Sequence, residues 1–449
     1  MTQETLSLST SIEEILESAG LHIETPYVRS SDYGLVLNDP FRYFLSRRIG
    51  LTRAAGWSEA LSRGSWFAER MLYAHHPDPS KPLAKKLAQR FDEIRAIASK
   101  FSWGPDRLKG YLETEQKNYA CAMGWWEAAM TLEMANGFTY QTYFARDGWE
   151  WLGSELVATA TIGGIPCRAQ FDHLYFDSKR QKLWVVDDKT TSYDPNTRVQ
   201  VCPNEFQSQL YCGIAEELLI DGTLSEKFGI PETATLGGMY HVAFKKPTID
   251  FGSKDRPYRL ISNGKRSGKR GVWDPDTNKY KIIEMKTGEI LEEGTIALRR
   301  QAESFLREKC EKIAEPVYEG EPDLDLYIKR CERWLKKQGE FKDAEGVPTP
   351  TRIAYSILNE EWFESIRPTL HQRLKVVEAY RTAQPALENF PKGVDLIDLS
   401  GNLSPYAPLY VLDPDRWAGA LQTQELIVKH RDETDMDAMD FAESEIRGL

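Results

Sequence analysis

No uninterrupted apolar run in this chain approaches the roughly 18 residues that a membrane span needs, so the sequence carries no spanning segment. Its opening, MTQETLSLSTSIEEILESAG, has acids and no basic leader region. A secretory signal is therefore not expected, and a cytoplasmic protein is. Cysteine is sparse and scattered: Cys121, Cys167, Cys202, Cys212, Cys310 and Cys331 form neither a CxxC pair nor a Cys/His set with zinc spacing. They are expected to be small buried hydrophobes in a reducing compartment. No internal repeat is present. Positive charge is also short: a net charge of −11 argues against a general polyanion binder. It does not exclude a nucleic-acid enzyme, because binding depends on the local field. What remains is a soluble globular composition, 41% hydrophobic and 28% charged, with 449 residues to build one large domain or two to three ordinary ones.

The informative stretch runs from Arg168 to Tyr211. Asp172 ends a short apolar segment, and the β-rich run LWVVDDKT delivers Asp187 and Lys189 fifteen and seventeen residues later. In a strand, Val185, Asp187 and Lys189 share one face while Val186 and Asp188 take the other. Two carboxylates brought together from adjacent strands would hold a hard divalent cation. An ammonium beside them would orient or activate a water, or stabilise charge developing on a phosphate. Taken alone, an Asp-x-Lys in a strand is usually no more than a paired or solvated edge. The ordered set is more specific.

These residues resemble the PD-(D/E)xK nuclease superfamily, in the branch of the bacterial RecB nuclease domain and phage exonucleases. Asp172 matches the family's first aspartate, and Asp187 and Lys189 match its DxK. Gln207 and Tyr211 match its Gln-x-x-x-Tyr helix motif; four apart, they share one helical face. Glu155, in SELVATATIGG, stands where an earlier metal-facing glutamate is usual. The resemblance implies a restriction-endonuclease-like α/β core, a mixed central sheet flanked by helices, with large helical and β insertions. It implies Mg²⁺ or Mn²⁺ held by Glu155, Asp172 and Asp187, with the backbone carbonyl of Asp188 completing the shell. Lys189 would position and help deprotonate the attacking water. Gln207 and Tyr211 would hold the strand, Lys189 or a substrate phosphate. DNA is the implied substrate, with a recombination or single-strand-binding protein as a further partner.

Departures from the family pattern also inform. Asp39-Pro40 opens a helix where relatives carry Cys-Pro, and Gly64 is followed four residues later by Ala68 rather than histidine. The stretch from Asn389 to Leu421 resembles the family's C-terminal cysteine segment without its cysteines, so no iron–sulfur cluster is expected. Glu69, His75 or His76 are the residues near enough in sequence to replace the missing histidine, but none is assigned that role.

Four segments are expected: 1–150 mostly helical after a leader with one short helix, 151–235 the nuclease core, 236–300 a basic β-rich insertion, and 301–449 helical with an acidic tail. Residues 241–300 hold 14 Lys/Arg against 8 Asp/Glu. Lys265, Arg266, Lys269 and Arg270 fall on a glycine-rich loop there, either a phosphate-tracking loop or a solvated turn. GKRSGKR has the wrong spacing for a phosphate-binding loop, and DPDTNKYKIIE reads as a turn between strands rather than a calcium loop. Trp125 and Trp126 would either stack bases or pack in a core. Residues 296–345 read as a helical pair and 352–390 as helical. The last 29 residues carry 8 acids against 3 basic groups, a solvated tail or a partner-binding segment. Three functions stay open: a metal-dependent DNA nuclease, an inactive nuclease-fold module that binds nucleic acid or a recombination partner, and a hydrolase for some other phosphoester.

Overall fold

A computed structural model describes residues 27–53, 59–74, 79–134, 136–338, 341–342, 348–349, 353–384, 389–390, 392, 406–411 and 424–428. The expected leader helix, His75 and His76, most of the cysteine-free C-terminal segment and the acidic tail lie outside these residues. The chain divides into two compact units. One comprises Met1–Ala122, Ala129–Lys246 and Gln338–Leu449; the other Met123–Ala128 and Pro247–Lys337. These bounds differ from the four segments read along the sequence.

The first unit begins with α1 (Asp32–Asn38) and α2 (Pro40–Tyr43). Asp39 caps α2, accepting from Arg42 N, with Pro40 at the tolerated first position. Then come α3 (Glu59–Leu72), α4 (Ser80–Lys100), α5 (Pro105–Met130) and α6 (Tyr140–Phe144). Three strands follow, β1 (Trp149–Ile162), β2 (Ile165–Asp177) and β3 (Lys182–Thr191). Helices α7 (Pro195–Val201), α8 (Phe206–Ile220) and α9 (Thr223–Phe228) lead to β4 (Thr235–Lys245).

The second unit holds β5 (Tyr258–Gly264), β6 (Lys269–Asp274), β7 (Lys279–Glu284), β8 (Ile290–Thr295), α10 (Arg299–Cys310), β9 (Glu315–Tyr318) and α11 (Leu324–Gln338). Its antiparallel sheet runs β9-β5-β6-β7-β8. The buried face, Leu260, Trp273 and Ile282, packs on Ala302, Leu306 and Cys310 of α10. Trp125 and Trp126 are buried, so the packing reading of the two indoles holds. The basic loop is a tight hairpin instead: Gly264 pairs with Lys269 and Asn263 with Arg270, so Lys269 and Arg270 are strand residues. The turn DPDTNK does join two strands, with Asp274 paired to Lys279.

Back in the first unit, β10 (Ile353–Asn359) and α12 (Glu360–Arg381) complete the core. Residues 353–359 are a strand, not the start of the expected helix. Ile353 and Ala354 are buried in succession, so this edge strand lacks the alternation that marks a half-buried one. The sheet order is β10-β4-β3-β2-β1. Its β3–β4 pair is parallel and the others antiparallel, because α7–α9 provide the crossover a parallel pair requires. This is the expected mixed sheet flanked by helices. Helix α8 is apolar on nearly every side and is correspondingly buried, with Leu210, Cys212, Ile214 and Ala215 fully enclosed.

Gly238 of β4 has φ 125°, and a Cβ there would stand 1.9 Å from the carbonyl oxygen of Leu358 in β10. Gly238→Ala is expected to cost about 2–4 kcal/mol by strain and clash together. The checking measurement is denaturant unfolding, and an unchanged midpoint would refute the tight β4–β10 approach.

Candidate active site

Strand β3 is central, and its pairing with β2 covers only His173–Asp177 against Lys182–Val186. The next residues in register are Asp172 and Asp187, which stand where the two strands part. Asp172 Oδ2 accepts the backbone N–H of Asp188 at 2.7 Å, tying its carboxylate across that fork.

Asp187 is fully buried. Its Oδ1 accepts Lys189 Nζ at 2.7 Å and Gln207 Nε2 at 3.1 Å, and its Oδ2 lies 2.9 Å from His241 Nδ1. Gln207, at the start of α8, also accepts Lys189 Nζ on Oε1 at 2.8 Å. The amide thus satisfies lysine and aspartate at once. Tyr211, one turn on, packs edge-on against Phe171 with centroids 5.5 Å apart. Burial, then Asp172 and Asp187, raise its hydroxyl's pKa, so its hydroxyl lies within the field of both carboxylates.

Charges in this cluster oppose one another. Burial would raise the pKa of Asp187, but Lys189 and then His241 outweigh it and hold the carboxyl at about 2. Burial and Asp187 push Asp172 up to about 7. Burial works against the Lys189 ammonium, yet Asp187 and Asp172 hold it above the ordinary lysine range. In this arrangement Lys189 is a charged donor. Two of its three N–H groups are used, leaving one for a water or a phosphate oxygen.

Glu155 lies on β1, between the pairs Ser154–His173 and Leu156–Phe171, and so opposite Asp172. Its φ of 52° is left-handed, rare for a side-chain-bearing residue inside a strand. Gln170 donates to its carboxylate. Burial, then Asp172 and Glu69, raise its pKa well above the usual range. Glu69 of α3 is thus within electrostatic reach of the cluster, and its Oε2 is a buried atom without a hydrogen bond.

Asp188 points the other way. Its Oδ2 accepts Tyr140 at 3.1 Å and lies 2.9 Å from His173 Nε2, on the sheet face opposite Asp187. The backbone of Asp188, not its carboxylate, is what it presents at the fork. Lys265 and Arg266 are exposed at the second unit's hairpin turn, with Lys269 and Arg270 beside them in β6.

His241 and Ser208 were not anticipated. Ser208 Oγ donates to the carbonyl of Cys202 at 2.6 Å and lies 2.9 Å from His241 Nε2, so the ring is held between serine and Asp187. A lone histidine in GGMYHVAF gives no sign of this, because the contact depends on β4 pairing parallel to β3 with His241 beside Asp187.

Among the described residues, no three His, Cys, Asp or Glu side chains form a group that could hold a metal ion. The chemistry of the set nonetheless fits a divalent cation of the magnesium type. Such an ion binds through one or two carboxylates, keeps several waters and takes substrate phosphate oxygens. Asp172 and Glu155, both raised by burial and then by neighbouring carboxylates, are groups whose ionised forms a cation would favour.

A family model described as the PD-(D/E)XK nuclease superfamily matches residues 31–333. No curated protein matches the chain.

A carboxyl with a raised pKa in the fold binds its proton more tightly folded than unfolded. Its stabilising contribution is therefore full below the unfolded value, 3.8, and is lost as pH rises through about 7. Without metal, Asp172→Asn should match wild type near pH 4 and become more stable by roughly 2–4 kcal/mol by pH 7. Unfolding curves across that range check this; parallel curves for the two proteins would contradict it.

Proposed function

Because the chain belongs to the PD-(D/E)XK nuclease superfamily, whose members hydrolyse phosphodiester bonds on a restriction-endonuclease-like core, we propose that it is a metal-dependent deoxyribonuclease. We place it in the RecB-like and phage-exonuclease branch, as an exonuclease or recombination nuclease acting in the cytoplasm. Six buried cysteines suit a reducing compartment. The observation that carries the reading is the hydrogen-bonded set Asp187, Lys189 and Gln207 at the β2–β3 fork, with Asp172 tied to the backbone N–H of Asp188 beside it.

In this mechanism Asp172 and Asp187, with Glu155, would hold Mg²⁺ or Mn²⁺, and the cation would supply a lowered pKa for water and charge neutralisation at the phosphate. Lys189 directs its remaining N–H at the attacking water or the charged phosphate oxygens. Gln207 fixes the lysine, and Tyr211 closes the apolar side of the site. His241 holds the second oxygen of Asp187, so its carboxylate does not rotate away.

A second reading, a nuclease-fold module that binds nucleic acid or a recombination partner without cutting, draws on the absence of a three-ligand group among the described residues. The two separate on incubation of the protein with linear and circular DNA in Mg²⁺, Mn²⁺ or EDTA, beside Lys189→Ala. Metal-dependent loss of linear DNA, slowed about 10³-fold in the variant, is the expected result. Cleavage of both forms would make the protein an endonuclease. Full cutting by Lys189→Ala would remove the assigned site, and no cutting in any metal would leave the binding module.

A further inference from the structure

On the face of the sheet opposite Asp187, a line of buried polar side chains runs across three strands. Ser154 of β1 and His173 of β2 are cross-strand partners, and Ser154 Oγ is hydrogen-bonded to His173 Nδ1. The other ring nitrogen, Nε2, lies 2.9 Å from Asp188 Oδ2 of β3, which also accepts the Tyr140 hydroxyl at 3.1 Å. Ser154, His173 and Tyr140 are buried, and the Asp188 side chain is 8% exposed. Among the described residues Asp188 Oδ1 has no hydrogen bond, so those that hold this carboxylate fall on Oδ2. The Trp151 indole, which can only donate, gives its N–H to Ser154 Oγ at 3.1 Å. With a neutral imidazole the donors then follow one order: Trp151 to Ser154, Ser154 to His173, His173 to Asp188.

Each member of this line stands next in sequence to a carboxylate of the candidate site. Ser154 precedes Glu155, His173 follows Asp172, and Asp188 lies between Asp187 and Lys189. Successive strand residues point to opposite faces, so a tie at one fixes the backbone that carries the next. The β2–β3 pairing ends at His173–Val186, and Asp188 lies just beyond it. There Asp172 accepts the Asp188 N–H on one face, and His173 meets the Asp188 carboxylate on the other. On β1, Ser154 anchors the residue just before Glu155, whose left-handed backbone persists only where its surroundings impose it. We propose that Ser154, His173 and Asp188 are positioning residues, which set the spacing of Glu155, Asp172 and Asp187 from behind the sheet. The proposal rests on the metal-dependent reading of the site. Side chains one step removed from metal-binding groups act in this way by orienting them.

The test measures Mn²⁺ binding to the full chain by calorimetry for wild type, Ser154→Ala, Glu155→Gln and the double variant, with denaturant unfolding alongside. Ser154→Ala is expected to raise the Mn²⁺ Kd about tenfold. Added to Glu155→Gln it should cost nothing further, because its effect passes through that carboxylate. Should alanine at this buried position prevent folding, Ser154→Cys, with a weaker donor in nearly the same volume, carries the same comparison. An unfolding midpoint lowered with an unchanged Mn²⁺ Kd would make the line a stabilising element only and overturn the proposal. So would a further loss in the double variant equal to that in the single one. Wild type that binds no Mn²⁺ would overturn the metal reading and the proposal with it, whereas failure of the positioning alone leaves wild-type binding intact.

Discussion

A carboxylate without solvent must be compensated or it will not stay ionised. Asp187 is fully enclosed, and it is compensated by three donors from three elements: Lys189 from its own strand, His241 from β4 and Gln207 from α8. Removing one partner of such a buried pair typically costs about 3–5 kcal/mol, because the remaining charge is left uncompensated. The same carboxylate therefore joins the β3–β4 pair to α8 and sets the position of Lys189. The crossover α7–α9, by making β3 and β4 parallel neighbours, is what brings His241 within reach.

Around that balanced group stand carboxylates that are not balanced. Burial and then Asp187 raise Asp172, and burial, then Asp172 and Glu69, raise Glu155. Glu155 also holds a left-handed backbone inside a strand. Repulsion and strain of this kind persist only where the surrounding fold imposes them. β1 and β2 impose it here by pairing on both sides of Glu155. A cation at the fork would convert the repulsion into binding.

Local features were legible in the sequence, and nonlocal ones were not. The alternation of Val185, Asp187 and Lys189 sets one face of a strand, and Gln207 with Tyr211 sets one face of a helix, so both follow from periodicity. That Asp187 and Asp188 serve opposite faces also follows from the period of two, although the tyrosine and histidine that hold Asp188 arrive from α6 and β2. His241 and Ser208 carry no local signal, because each depends on which elements pack together. Strand β10 was hidden by the long helix that continues directly from it. In the basic hairpin the glycines mark a turn without marking how tight it is, so the sequence alone suggests a longer loop.

Diffraction from crystals grown with Mn²⁺ tests the central claim most directly, because the ion's anomalous signal marks its place independently of activity. The account predicts a peak about 2 Å from carboxylate oxygens of both Asp172 and Asp187. A peak bound elsewhere, or none at saturating Mn²⁺, would contradict it.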